Sequence, residues 1–428
     1  MISVQNHQQP LNGNKLLFAL GLSVLVFLGA CSPKTRVLKS PDYSKGNVGG
    51  TTPKTENSTV SDKVEEVEAE KRTNEAMKNS IALILPFQLD KLVPDNLSEE
   101  DIKRSAIALD FYQGFQSGLD ELAKNGNSFS LRVIDSRNNV LYNQKLAASV
   151  DIKNTALVVG PVFPKEIHAF GTSLLGTNQL QINPLAASRP QEFNQPNLVS
   201  LTPSIDAHRQ AMIERVVADY QIGDKVLIYA TQDDNSKQFL TGFETGLKQL
   251  DPSISVNTVS SIQELNEQLN LTGRNLIVAG TTDRFQLRSF LSNLETKSLE
   301  ELCSFNLYGH PLWERIDFTM FERFSTFHPI ITAESHLSEM ANDTKSFKDH
   351  YYEAYRVKPS DYAFKGYDAG LYFGGLIAKY GTAYSEHLEE DEFNGLYSKY
   401  IFEHNARSGY LNNAVSFKAY KGSAFQLN

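Results

Sequence analysis

Few residue types in this chain could carry covalent chemistry. Its 428 residues hold two cysteines, Cys31 and Cys303, and nine histidines. A Gly-x-Ser-x-Gly elbow, a His-Glu-x-x-His helix, a phosphate loop ending in Gly-Lys-Ser/Thr and a Cys-x-x-Cys pair are all missing from it. The carboxylates are scattered over what read as solvated helix faces. His310, His328 and His336 fall near predicted strand ends in the second half. A metal site would need them to converge, so ordinary surface or core histidines are expected. Cys303, in Leu302-Cys303-Ser304-Phe305, sits beside a predicted strand and reads as a buried, inert thiol. The expectation is a protein that is not an enzyme and holds no metal or cofactor. A net charge of −9 also argues against nucleic acid, which requires a basic footprint.

Cys31 is a different case. Lys15 precedes an apolar run from Leu16 to Leu28, and the small residues Gly29 and Ala30 follow, the arrangement of a secretory signal. The run is too short to span a bilayer, which takes about 20 apolar residues. The sequence Leu28-Gly29-Ala30-Cys31 resembles the lipobox of bacterial lipoproteins. That resemblance implies removal of residues 1–30 as a signal peptide. Cys31 would then be the first mature residue, with palmitate-type acyl chains on its sulfur and amine. Each buried methylene is worth about 0.8 kcal/mol, so several chains make a firm membrane anchor. Ser32 after the cysteine suggests an outer-membrane location facing the periplasm.

The remaining 428 − 30 = 398 residues suit a tether and two lobes. Residues 31–79 are rich in Pro, Gly, Ser, Thr and Asn and poor in aromatics, so they read as a flexible tether. Val60, Val64 and Val67 suggest one short solvated helix within it. From Ser80 onward, apolar strand-length runs alternate with amphipathic helices. Ile81–Leu85 is a strand, and Ser98 with Asp101 three residues on is a capping signal for the following helix, which Gly126 should stop. Gly114 and Gly118 read as permitting close approach of that helix to a sheet. Strands follow at 131–135, 156–159, 180–183 and 198–201. A second series then begins, with strands at 225–230, 255–259 and 276–280 and helices at 237–250, 262–271 and 285–294. Continuous apolar strands alternating with helices mean parallel sheet covered on both faces. The fold class is therefore α/β, with two doubly wound parallel-sheet lobes.

The order of "IALILPF", "ALDFYQGFQSGLDEL", "ALVVGPVFPKEI", "QLQINPLAAS", "KVLIYATQDD", "NLIVAGTTD", "NLYGHPLW" and "FKGYDAGLYFGGLI" resembles the type I periplasmic binding proteins. The resemblance covers residue 80 to the end. It implies a three-crossing hinge, with lobe 1 from 80–202 plus 334–405 and lobe 2 from 203–333 plus 406–428. In open parallel sheets, ligands sit beyond the carboxyl ends of the strands. The expected cleft residues are Phe87, Asp135, Ser136, Phe163, Asn183 and Leu185 in lobe 1. In lobe 2 they are Thr231, Gln232, Asp233, Thr281, Thr282 and His310. Tyr367 and Asp368 resemble that family's Tyr-Asp-Ala helix and join the set. Asp233 and Asp234 also read as helix-start caps, and Trp313 as core packing. Where amino-acid-binding members carry small hydroxyls and free amides, this chain has Phe163-Pro164 and Leu185. That does not suit an α-amino acid ligand. The implied role is binding or sensing of a small solute in the cleft, with a transporter permease as partner. The segment "GPVFPKEI" is also similar to lipoproteins that activate penicillin-binding proteins, which gives the alternative of a protein–protein regulator of peptidoglycan synthesis.

Overall fold

The computed structural model describes residues 79–93, 97–177, 179–300 and 304–428. Cys31, the signal segment, Cys303 and the tether up to residue 78 lie outside the described residues. Strand β1 (Ser80–Leu85) is buried from Ile81 to Leu85. Helix α1 (Glu99–Lys124) starts on a complete capping box. The Asp101 amide donates to Ser98 Oγ at 3.1 Å, and the Ser98 amide donates to Asp101 Oδ2 at 3.0 Å. The helix stops before Gly126, whose φ is +90°. The series continues with β2 (Ser130–Asp135), α2 (Val140–Ala147), β3 (Leu157–Val159), α3 (Pro164–Thr172), β4 (Gln181–Asn183) and β5 (Leu198–Ser200).

The second series opens with α4 (Ile205–Asp219) and β6 (Lys225–Tyr229). The single helix expected over 237–250 is two helices, α5 (Asp234–Leu240) and α6 (Phe243–Leu250), broken at Gly242 with φ +77°. Phe239, Phe243 and Leu247 keep a helical spacing across the break, so periodicity alone hides it. Then come β7 (Val256–Val259), α7 (Ile262–Gln268), β8 (Arg274–Ala279), α8 (Arg284–Glu300), β9 (Ser304–Gly309) and β10 (Ile330–Ala333). The chain returns through α9 (Asn342–Tyr355) and α10 (Asp361–Tyr380). It ends in the short strands β11 (Phe393–Asn394), β12 (Lys399–Tyr400), β13 (Phe402–Asn405), β14 (Gly409–Asn412), β15 (Ser416–Lys421) and β16 (Ala424–Leu427).

The first sheet has the order β13-β14-β5-β4-β3-β1-β2 and the second β16-β15-β10-β9-β8-β6-β7. Each is parallel through its middle, with antiparallel pairing only at the tail strands. The expected boundary at 405 moves. Strand β14 pairs with β5 in the first sheet, so the tail joins the second lobe only at Ser416, beside Ala333. The three crossings thus follow β5, β10 and β14. All three leave carboxyl ends of strands, which turns those ends of the two sheets toward one another. In both sheets the order reverses between the first and third strands of the series, β1/β3 and β6/β8.

Two different cores support these edges. In lobe 1, α1 and α10 meet through four glycines. A Cβ on Gly114 would stand 1.9 Å from Ala363 O, and one on Gly118 2.5 Å from Tyr367 O. Gly366 and Gly370 face Phe111 and Phe115 in the same way. The close approach is therefore between helices, not between helix and sheet as the sequence suggested. In lobe 2, Trp313, Phe318, Phe324 and Tyr420 pack together beneath the sheet, with the Phe318 and Phe324 rings stacked at 4.2 Å.

Candidate functional site

The edge of lobe 1 is built around the turns that follow β1, β2, β3 and β4. Asp135, at the end of β2, accepts the backbone N–H groups of Gln88, Leu89 and Arg137 at 2.9, 2.8 and 2.9 Å. It shapes the loop after β1. Phe87 is half-buried, edge-on to Tyr112, and its carbonyl is held by Ser105 Oγ at 2.7 Å. Ser136 is buried beside the carboxyl of Glu166, 3.4 Å away. Glu166 also accepts from Asn143 Nδ2 at 2.8 Å, and burial pushes its carboxyl above the usual range. Asn183 closes a local turn, bonding the Ala186 N–H at 2.9 Å and the Ala186 carbonyl at 2.8 Å. Phe163 caps α3 without a side-chain bond, and Pro164 occupies the first helical position. Phe163 and Leu185 are half-buried against the lobe's core.

In lobe 2 the polar candidates do come together, and they bind one another. Asp233 is the N-cap of α5. It accepts from Ser236 N at 3.0 Å and Thr231 Oγ1 at 2.6 Å, and Thr281 and Thr282 also donate to it across the β6/β8 reversal. Burial alone would raise this carboxyl, but those hydrogen bonds outweigh it and hold it below the usual range. Gln232 is exposed, whereas Thr281 is fully buried. His310 caps the turn after β9, its Nδ1 accepting from the Leu312 N–H at 3.0 Å, and its ring meets Phe239 edge-on. Burial, with His208 adding and Asp233 opposing, pushes His310 down to about 4. His208, 3.0 Å from Thr332 Oγ1, is likewise pushed down to about 4 by burial. Both imidazoles are therefore neutral at pH 7. Trp313 is core, its indole N–H donating to Thr281 O at 2.8 Å.

Two expected cleft residues lie elsewhere. Asp368 is fully buried and accepts three backbone N–H groups, from Leu396, Tyr397 and Ser398, at 2.8, 2.8 and 2.7 Å. It pins α10 to the 396–398 turn. Burial, opposed by these bonds, pushes its carboxyl up to about 6. Tyr367 packs on Phe347 with ring centroids 4.5 Å apart. The Tyr-Asp-Ala letters mark a helix but not which way Asp368 faces, and that is decided by its partners at 396–398. His328 is exposed at the opposite end of lobe 2. His336 sits on the second crossing, with Nε2 2.8 Å from Gly395 O.

No local sequence pattern marks the residues that tie the crossings together. Glu334, just after β10, receives Thr202 Oγ1 from the first crossing at 3.2 Å and Lys365 Nζ from α10 at 2.7 Å. Asn412 Nδ2 donates to Leu201 O at 2.7 Å. Arg189, in the loop after β4, reaches Gln238 O of α5 at 3.3 Å and lies 3.8 Å from Asp206. All these pairs are distant in sequence, beyond the reach of local pattern. Among the described residues, no group of three or more His, Cys, Asp or Glu is placed to hold a metal ion, and no helix is long and apolar enough to cross a membrane.

No protein-family model matches the chain, and no curated protein matches its sequence. Solved structures do match. A putative branched-chain amino acid ABC transporter protein from Rhodospirillum rubrum aligns with 82% of this chain and 99% of its own, at 14% identity and a TM-score of 0.61. The LpoA (YraM) C-domain from Haemophilus influenzae, described as a regulator of PBP1A, covers the same shares at 14% identity and a TM-score of 0.53. Full-length LpoA from that organism aligns over 59% of its length, at 13% identity and a TM-score of 0.51. At such identities the likeness is one of architecture, and the architecture of this chain is the type I periplasmic binding protein fold.

Proposed function

We propose that this chain is a non-enzymatic binding module of the bacterial envelope, held by an acylated Cys31, whose facing lobe edges engage a protein partner. One observation carries the reading. The polar side chains that could grip a small polar solute, Asp135, Asn183, Asp233 and His310, bond backbone or side chains of their own lobe. Large apolar side chains stand out on the same edges instead. Leu89 and Val93 after β1 are 58% and 60% exposed, Leu141 after β2 69%, and Phe285 after β8 86%. Exposed apolar groups rimmed by charge mark protein contact surfaces. The likeness to a domain described as a regulator of PBP1A agrees with a wall-synthesis enzyme as that partner.

A second reading rests on the half-buried Phe87, Phe163 and Leu185 and the exposed Gln232. It has these walls close on a weakly polar solute for a transporter, as the likeness to substrate-binding proteins suggests. The two readings separate in one experiment. Purified wall-synthesis enzymes of the same organism are tested for binding, beside thermal shifts with amino acids, peptides and wall fragments. Specific enzyme binding without a solute-dependent shift supports the first reading. A saturable solute shift of several degrees without enzyme binding replaces it with the second.

A further inference from the structure

Thr202, Glu334, Lys365 and Asn412 tie the two lobes at the crossings themselves. Arg189 ties them away from the crossings. It belongs to lobe 1, in the loop between β4 and β5, and its guanidinium reaches the first turn of α4 and the last turn of α5 in lobe 2. Nη2 donates to Gln238 O at 3.3 Å, and Nε lies 3.8 Å from Asp206 Oδ1. The loop is held on both sides of this residue. Asn183 closes the turn that follows β4, accepting the Ala186 N–H at 2.9 Å. Beyond Arg189, the Glu192 N–H donates to Arg189 O at 2.9 Å, and Phe193 is buried against Ile167 and Leu198. Arg189 therefore moves with lobe 1, and its contacts depend on where lobe 2 stands.

The lobe 2 side is already organised. Arg209, on α4, donates from Nη1 to Asp206 Oδ1 at 2.9 Å and to Gln238 O at 3.2 Å, which fixes the same two acceptors that face Arg189. An ionised carboxylate offers about four lone-pair sites, so Asp206 can accept from both arginines. Arg189 stops just short of it. Among the described residues, its Nε is buried with no hydrogen-bond partner. A donor stripped of water is unfavourable until an acceptor comes within range. Charge-assisted N–H···O bonds measure about 2.7–2.9 Å, so an approach of about 1 Å between the lobes completes the bond to Asp206. Separation of the lobes does the reverse. It breaks the bond to Gln238 O and returns the guanidinium to water.

We propose that Arg189 is an interlobe clasp, poised to lock onto Asp206 as the lobes close. The clasp rests on the two-lobed fold and not on what the facing edges bind. Double electron–electron resonance on the full chain tests it, with nitroxides carried by unnatural residues at Leu141 in lobe 1 and Phe285 in lobe 2. The native chain should show mainly a short interlobe distance at low ionic strength, moving to longer distances as salt screens the partly exposed pair. Arg189→Ala should shift the main population to longer distances at low salt. Asp206→Ala should do so from the other side of the pair, and it serves as the second variant should the loop change disturb folding, which circular dichroism checks. Arg209→Ala should keep the short distance, because that arginine holds the same acceptors from within lobe 2. An unshifted distribution in either folded variant, or an equal opening with Arg209→Ala, overturns the proposal.

Discussion

The two lobes share a topology but bury opposite kinds of titratable group. Lobe 1 buries carboxyls, Glu166 and Asp368, each surrounded by N–H donors and each pushed above its usual range by burial. Lobe 2 buries imidazoles, His208 and His310, both kept neutral by burial. Their cores differ as well, with glycine-lined helices in one and packed aromatic rings in the other. In both lobes the internal polar groups serve the fold, which leaves apolar side chains to face outward at the edges. Substitutions and pH can test that contrast.

The largest expected effect is at Asp368. Asp368→Ala leaves three N–H donors, two of them buried and one partly buried, without an acceptor, at about 1–3 kcal/mol each, so a loss of about 4 kcal/mol is expected in denaturant titration. A loss below about 1 kcal/mol would return Asp368 to the status of a surface or cleft residue. Next comes the glycine seam. Gly114→Ala drives a methyl into a backbone carbonyl, where neither helix can yield cheaply, and should cost about 3 kcal/mol. Its control is Gly375→Ala on α10, where a Cβ meets nothing within 4 Å. There the gain should be up to about 1 kcal/mol from helix propensity.

The pH dependence should split the lobes. For His208 and His310 the folded values near 4 lie below the ordinary 6.5, so the unfolded chain takes up protons first as pH falls. Their contribution is complete above pH 6.5 and is lost toward pH 4, by up to about 3 kcal/mol each. For Asp368 the folded value near 6 lies above 3.8, so the folded chain takes up the proton first. That contribution is complete below pH 3.8 and is lost as pH rises through 6, and Glu166 acts in the same direction. Between pH 6.5 and 4.5, hydrogen exchange corrected for intrinsic rates should show β6 and β8 losing protection relative to β1 and β3. A uniform loss across both lobes would mean that the buried groups do not control the response. The smallest effect belongs to the crossings. Glu334→Gln weakens a partly buried ion pair with Lys365 and should cost about 1 kcal/mol, with faster exchange around residues 334–337.

Much of this architecture was legible in the sequence, because buried parallel strands are continuous apolar runs and the capping box at Ser98 and Asp101 is a local signal. So was the role of Asp233 as a cap, since its partner Ser236 is three residues away. The break at Gly242 was not, because the apolar spacing runs through it. The lobe boundary fell one strand short because β14 carries no mark of which sheet it joins. Gly114 and Gly118 were noticed, but their true partners, Gly366 and Gly370, repeat the same four-residue spacing some 250 positions later. The candidate site suffered most. Strand ends were found by position, yet what Asp135, Asp233 and Asp368 bond depends on backbone amides that only the folded chain brings near.

The most direct test measures binding of a purified wall-synthesis enzyme from the same organism to the native chain and to the triple variant Leu89→Glu, Leu141→Glu, Phe285→Glu. These exposed positions should tolerate charge without loss of stability. The account predicts binding by the native chain and at least a tenfold loss in the variant at an unchanged melting temperature. Equal binding by both, or no binding by either while a small solute raises the melting temperature, would contradict it.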